Sequence, residues 1–261
     1  MRLILGLAVV GLFVCACGGG GGMSTPSDPT QNAAPKLVQM NTFQTIGTAF
    51  GINSPVKFKS NTQAGDTIWV VATLSDFAGV HTISVTDTQG NTYTALDQEN
   101  DGVPATQTVA HFYAANIRGD SATPDTVTVV WSNENYKGVL IAEISGTTQA
   151  PLAAHRGNIQ DGLAGGSNNV TSGPMNVTSA QTPALLVALS MNASGGVSDT
   201  GGSGFGGPAA GSGMTQVATF WDWGANLATL VTGSVTSAES VSSVFNAPDV
   251  DSYITVAAVF H

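Results

Sequence analysis

Four groups of residues in this chain have types and spacings that could carry chemistry. Asp97, Glu99 and Asp101, with Asn100 among them, place three carboxylates at alternate positions. On a regular strand they would line one face at about 7 Å intervals and repel one another. A loop that solvates them relieves the repulsion, as does a hard cation such as Ca²⁺, which draws about six to eight oxygens from carboxylates and carbonyls. The EF-hand pattern and its glycine are missing, so the run reads first as a solvated hairpin tip, with Ca²⁺ as the second reading and no other cofactor implied. Glu143 lies in the apolar run Leu140-Ile141-Ala142-Glu143-Ile144-Ser145, on the face that carries Val139, Ile141 and Ser145. A carboxyl there could be partly buried with a raised pKa, which suits either structural hydrogen bonding or a general acid. Glycoside hydrolysis would need a second carboxylate about 5–10 Å away. Trp221 and Trp223 flank Asp222; in an extended segment both indoles share a face and form either a platform for sugar rings or ordinary core. The histidines His81, His111, His155 and His261 form neither His-x-His nor His-Glu-x-x-His, so spacing gives no metal signal. His111 precedes Phe112-Tyr113 and reads as a strand histidine. No Gly-x-Ser-x-Gly elbow or phosphate-cradling loop occurs.

The elements that must position these residues are strands. No segment of useful length repeats apolar residues at helical spacing, whereas short β-branched runs between turn signals recur. Residues 66–74 are apolar on both faces and read as a buried central strand; 81–87 alternate, and the turn at Asp87–Asn91 returns the chain into 92–96. Further strands are expected at 106–117, 125–131, 138–145, 168–177, 183–191, 215–221, 226–235 and 253–260. The last is so apolar that it must be inserted between neighbours and not left as an edge. Interval 195–213, with nine glycines in 19 residues, reads as a loop within the domain. It is too long for a simple hairpin connection.

Composition agrees and excludes several functions. Of 261 residues only 9% are charged, and the formal net charge is −10. Such a chain repels polyanions, so nucleic acid is excluded as a partner. Both cysteines, Cys15 and Cys17, lie at the N-terminus, which leaves the body no disulfide, thiolate metal site or cysteine nucleophile.

Met1-Arg2 precedes an uncharged apolar run from Leu3 to Val14. Twelve residues cover about 18 Å of helix, short of a bilayer core of roughly 30 Å, so the run reads as a signal-peptide core. The sequence Val14-Cys15-Ala16-Cys17 resembles the bacterial lipoprotein signal. That resemblance implies cleavage after Ala16 and lipidation of Cys17 by a diacylglyceryl thioether and an N-acyl chain. More than one acyl chain is what stable anchoring needs. Cys15 stands where Ser, Ala or Thr is commoner. Gly18 is compatible with export to the outer membrane. Residues 18–35, rich in Gly, Pro and Ser, form a coil with an r.m.s. reach of about 25 Å.

A second resemblance covers the chain from about residue 42 onward. It rests on Gln63-Ala64-Gly65-Asp66, Ser84–Asp87 with Gly90-Asn91-Thr92-Tyr93, His111–Ile117, and Glu143–Gly146 followed by Ala150-Pro151-Leu152. These resemble a jelly-roll-like β-sandwich module of bacterial secreted and surface proteins, which implies adhesion or glycan contact and carries no catalytic residue set. The expectation is therefore an all-β protein: signal peptide 1–16, lipid-anchored tether 17–36, and one antiparallel β-sandwich over 37–261. Its expected role is a non-catalytic binding, adhesion or structural module on the bacterial cell envelope. The membrane holds it through its lipid, and a glycan or surface protein is its partner. The alternative is a glycan-active hydrolase pairing Glu143 with a carboxylate of the 97–101 run.

Overall fold

The computed structural model describes residues 33–44, 51–76, 81–101, 106–120, 122–132, 136–160, 169–192, 208–221, 227–246 and 252–261. Among these, the regular structure is β apart from one 3₁₀ turn, and every strand pairing is antiparallel. The first half contributes β1 (Lys36–Gln44), β2 (Asn53–Lys57), β3 (Thr67–Asp76), β4 (Ile83–Asp87), β5 (Thr94–Asp101), β6 (Thr106–Ala114), β7 (Thr126–Trp131) and β8 (Tyr136–Ser145). The second contributes β9 (Leu152–Gln160), β10 (Asn169–Thr171), β11 (Met175–Val177), β12 (Ala184–Asn192) and β13 (Ala209–Ala210). It continues with β14 (Thr215–Trp221), β15 (Leu227–Val235), β16 (Glu239–Val241), β17 (Val244–Asn246) and β18 (Tyr253–Phe260).

The sandwich is doubled. One inner sheet runs β1-β8-β3-β6-β5 and the other β9-β18-β12-β15-β14, which is the same path through each half. The outer sheets repeat as well: β2-β7-β4 in the first half and β10-β17-β13 in the second, with β11-β16 added. The two inner sheets face each other across a core containing Trp69, Val71 and Leu140 from one side and Val187, Leu230 and Val256 from the other. A second core fills the space between the first inner sheet and β2-β7-β4. A third lies under the small sheets of the second half. Inner strands are thus buried on both faces, which is why 66–74 reads as apolar throughout and why every residue of β12 and β18 is buried. As its apolarity demanded, β18 sits between β12 and β9.

Two sequence expectations are corrected here. The carboxylates at 97–101 belong to strand β5 and not to a hairpin tip. Within the glycine-rich interval, Ala209–Ala210 form a strand that pairs with β17.

Two turns interlock at the end of the first half where β1 begins. Gly65 N–H donates to the Ile117 carbonyl at 2.9 Å, Ile117 N–H to the Asp66 carbonyl at 3.0 Å, and Asp120 N–H to the Thr62 carbonyl at 3.1 Å. Gly119, at φ +65°, passes so close to Gln63 and Ala64 that a Cβ would meet their backbone. Gly119→Ala is expected to cost more than about 1 kcal/mol, because both its dihedral and its space are incompatible with a side chain. Urea unfolding measures this, and an unchanged midpoint would refute the interlock.

Candidate functional site

The inner sheets meet along two seams, β5 against β9 and β1 against β14. The β5–β9 seam is polar. In β5 the pairing with β6 slips between Ala95 and Gln98, so Leu96 and Asp97 together oppose His111, and both face the core between the inner sheets. A bulge of this kind re-aims a side chain that regular alternation would send outward. On β6, His111 alternates with Val109 and Tyr113 toward that core, and on β3 so does Trp69. From the other sheet, β9 brings His155 to the seam.

These residues form one hydrogen-bonded chain. Trp69 Nε1–H donates to His111 Nδ1 at 3.2 Å. His111 Nε2 lies 3.0 Å from Asp97 Oδ2, and His155 Nδ1 lies 2.7 Å from the same oxygen. The indole can only donate, so His111 Nδ1 must accept, and its proton sits on Nε2, directed at Asp97. Burial holds the His111 pKa below its ordinary value, although Asp97 pulls it the other way. His111 is therefore neutral at neutral pH. For Asp97, burial acts to raise the pKa, but the hydrogen bonds from His111 and His155 outweigh it and hold the carboxyl below its ordinary value. An ionised Asp97 only accepts, which puts the proton of a neutral His155 on Nδ1 and leaves Nε2 as its basic nitrogen. His111 is fully buried, while the Asp97 and His155 side chains are 25% and 37% exposed. Glu99 lies alongside, packed over Gly157. Burial and the Asp97 charge push its pKa up, against the pull of Arg156.

Asp97, His111 and His155 each offer a ligand atom, and the three lie within 4.8 Å of one another. Transition metals accept such a set. A neutral imidazole bound to metal through Nε2 carries its proton on Nδ1. In His111 that nitrogen already receives the Trp69 N–H, so two donors would face each other. The seam's hydrogen bonding is that of a proton-holding chain.

The remaining sequence candidates are scattered. Glu99 and Asp101 follow Asp97 along β5, so Asp97 and Asp101 stand about 13 Å apart and do not converge on one cation. Glu143 is fully buried on β8 and faces the outer sheet. It accepts from Gln39 Nε2 at 2.6 Å and from Gln63 N–H at 2.7 Å. Its carboxyl neighbour is Asp66, whose pKa is pushed up to about 6, first by burial and then by the Glu143 charge and hydrogen bond. From the 97–101 run Glu143 is three strand spacings away, about 14 Å, on the opposite face of the sheet. Trp221 ends β14, its backbone opposite Leu227. Trp223, like Cys17 and residues 1–32, lies outside the described residues.

Sequence spacing could not have found the seam, since Trp69, Asp97, His111 and His155 come from four strands and meet only through the sheet register. No family model, curated protein or solved structure matches the chain.

Proposed function

We propose that this protein is a lipid-anchored binding module of the bacterial cell surface, held at Cys17, set off by residues 18–35, and contacting a neutral, hydroxyl-rich ligand such as a glycan. The observation that supports this reading is the polarity of the body. Lys36, where the tether joins, pairs with Ser145 at one pole. Gln44, Asp76 and Asp101 end their strands at the other pole. Because β5 and β9 run side by side in the same direction, Gln160, Asn192 and Trp221 end their strands at that far pole too. Strands of both halves thus end together at the pole opposite the start of β1, and surface loops at such an end carry binding. A net charge of −10 on so few charged residues favours neutral ligands over anionic ones.

Mass spectrometry of the full chain from bacterial membranes should find Cys17 as the N-terminus, carrying acyl chains. Cys17→Ala should move the protein out of the membrane fraction. On a glycan array the detergent-purified chain should bind, and the Trp221→Ala/Trp223→Ala pair should lose at least roughly tenfold in affinity, as loss of stacking aromatics does. An unmodified Cys17 would sink the anchor, and equal binding by both proteins would sink the Trp platform.

A further inference from the structure

We propose that the β5–β9 seam is an acid–base site in which His155 Nε2 takes a proton from water for attack on a carboxylic ester bound against the seam. This stands apart from the anchoring reading and does not depend on the ligand of the far pole.

Two independent observations carry it. The first is the hydrogen-bond order. Trp69 fixes His111 as a donor, His111 and His155 both donate to Asp97, and the partly exposed ring of His155 is left with Nε2 as its basic nitrogen. A carboxylate that fixes the tautomer of a histidine and stabilises its imidazolium is the arrangement general-base catalysis needs. The second is the doubled fold. The corresponding seam between β1 and β14 also carries a bulge, between Gln216 and Ala218, yet it closes with Leu37, Met40 and Ala218 packed on the same core. Closing a seam of this architecture therefore does not require a Trp–His–Asp–His chain. The polar set is particular to one side, where it costs apolar burial.

In the step, the lone pair of His155 Nε2 takes one proton of a water molecule while the water oxygen bonds to the ester carbonyl carbon. The carbon–oxygen bond to the alcohol then breaks, and the imidazolium returns its proton to the departing oxygen. Ester and water become acid and alcohol, with no other reactant. The charged or titratable groups around His155 are Asp97 and Glu99 on β5, His111 on β6 and Arg156 on β9.

The test uses the full chain in detergent with p-nitrophenyl acetate as the probe, following p-nitrophenolate release from pH 5 to 8. Wild type should exceed His155→Gln by at least roughly tenfold, a modest general-base contribution. Asp97→Asn, which keeps an acceptor for His111, should fall to near the His155→Gln rate with near-UV circular dichroism retained. Equal rates for wild type and His155→Gln would overturn the proposal, as would a folded Asp97→Asn of undiminished rate. Should Asp97→Asn fail to fold, His155→Gln, at an exposed position, still decides. Zn²⁺ provides a second arm: no rise in melting temperature is expected. A rise that His111→Gln abolishes would make the seam a metal centre and overturn the proton-transfer reading.

Discussion

Glu143→Leu is expected to destabilise the protein by about 2–4 kcal/mol, the cost of removing a buried carboxylate that accepts hydrogen bonds from two donors, at roughly 1–3 kcal/mol each. The substitution fits the strand, since Ile141 and Val139 share its face, so the loss is electrostatic and not steric. Without the carboxylate, Gln63 N–H loses its acceptor and Gln39 Nε2 keeps only the Ser60 carbonyl. Asp66, buried beside it, loses the neighbouring carboxyl that helps to raise its pKa. Glu143→Gln retains an acceptor and should cost about 1 kcal/mol, a single hydrogen bond's worth. Urea unfolding of the two variants separates these values. A Leu variant within about 1 kcal/mol of wild type would show that the cluster is idle.

Acid should stabilise this protein. Asp66 has a folded pKa of about 6 against an ordinary value of 3.8. Between those values the folded state holds a proton that the unfolded chain releases, so stability is greatest below that window and falls as pH rises through it. At about 1.4 kcal/mol per pKa unit this one group contributes roughly 2–3 kcal/mol between pH 4 and pH 7. Burial pushes Glu99 and Asp125 the same way, and so does the repulsion of a net charge of −10. His111 opposes them: burial holds its folded pKa below the ordinary 6.5, so its contribution is lost as pH falls from there through the lowered value. Asp97 opposes them too. Its folded pKa is lowered, so its contribution is present above the ordinary carboxyl range and is lost as pH falls through the lowered value. Melting temperature followed by circular dichroism should therefore rise from pH 7.5 to about pH 4.5 and fall in stronger acid. Glu143→Gln should flatten the rise, because the Glu143 charge helps to raise Asp66. A maximum at or above neutral pH would refute this account.

The strands buried on both faces were legible from residue types alone. Residues 66–74, 138–145, 183–191 and 253–260 are apolar without alternation, and β3, β8, β12 and β18 occupy them. Edge strands were harder to see. In β1, Lys-Leu-Val-Gln-Met-Asn-Thr-Phe-Gln is half-buried along most of its length and slips register between Leu37 and Gln39. Its hydrophobic period is therefore broken. Strands of two or three residues, such as β13, β16 and β17, are too short to show any period. The second passage through the same strand order was also hidden, since topology is a matter of pairing and the two halves pair alike through different side chains.

The candidate site was legible only in pieces. Asp97, His111 and Glu143 each drew notice for what their side chains can do. Nothing local told that a bulge turns Asp97 inward, that Glu143 faces Asp66, or that His155 arrives from the other half of the chain. Residue types and their alternation determined the all-β class and the all-buried inner strands, because burial on one or two faces leaves its mark within a few neighbouring residues. Only the tertiary structure decided the two-fold layering and the Trp69–His111–Asp97–His155 chain. Both depend on register between strands far apart in sequence, and a slip of one residue would turn those side chains to the other face.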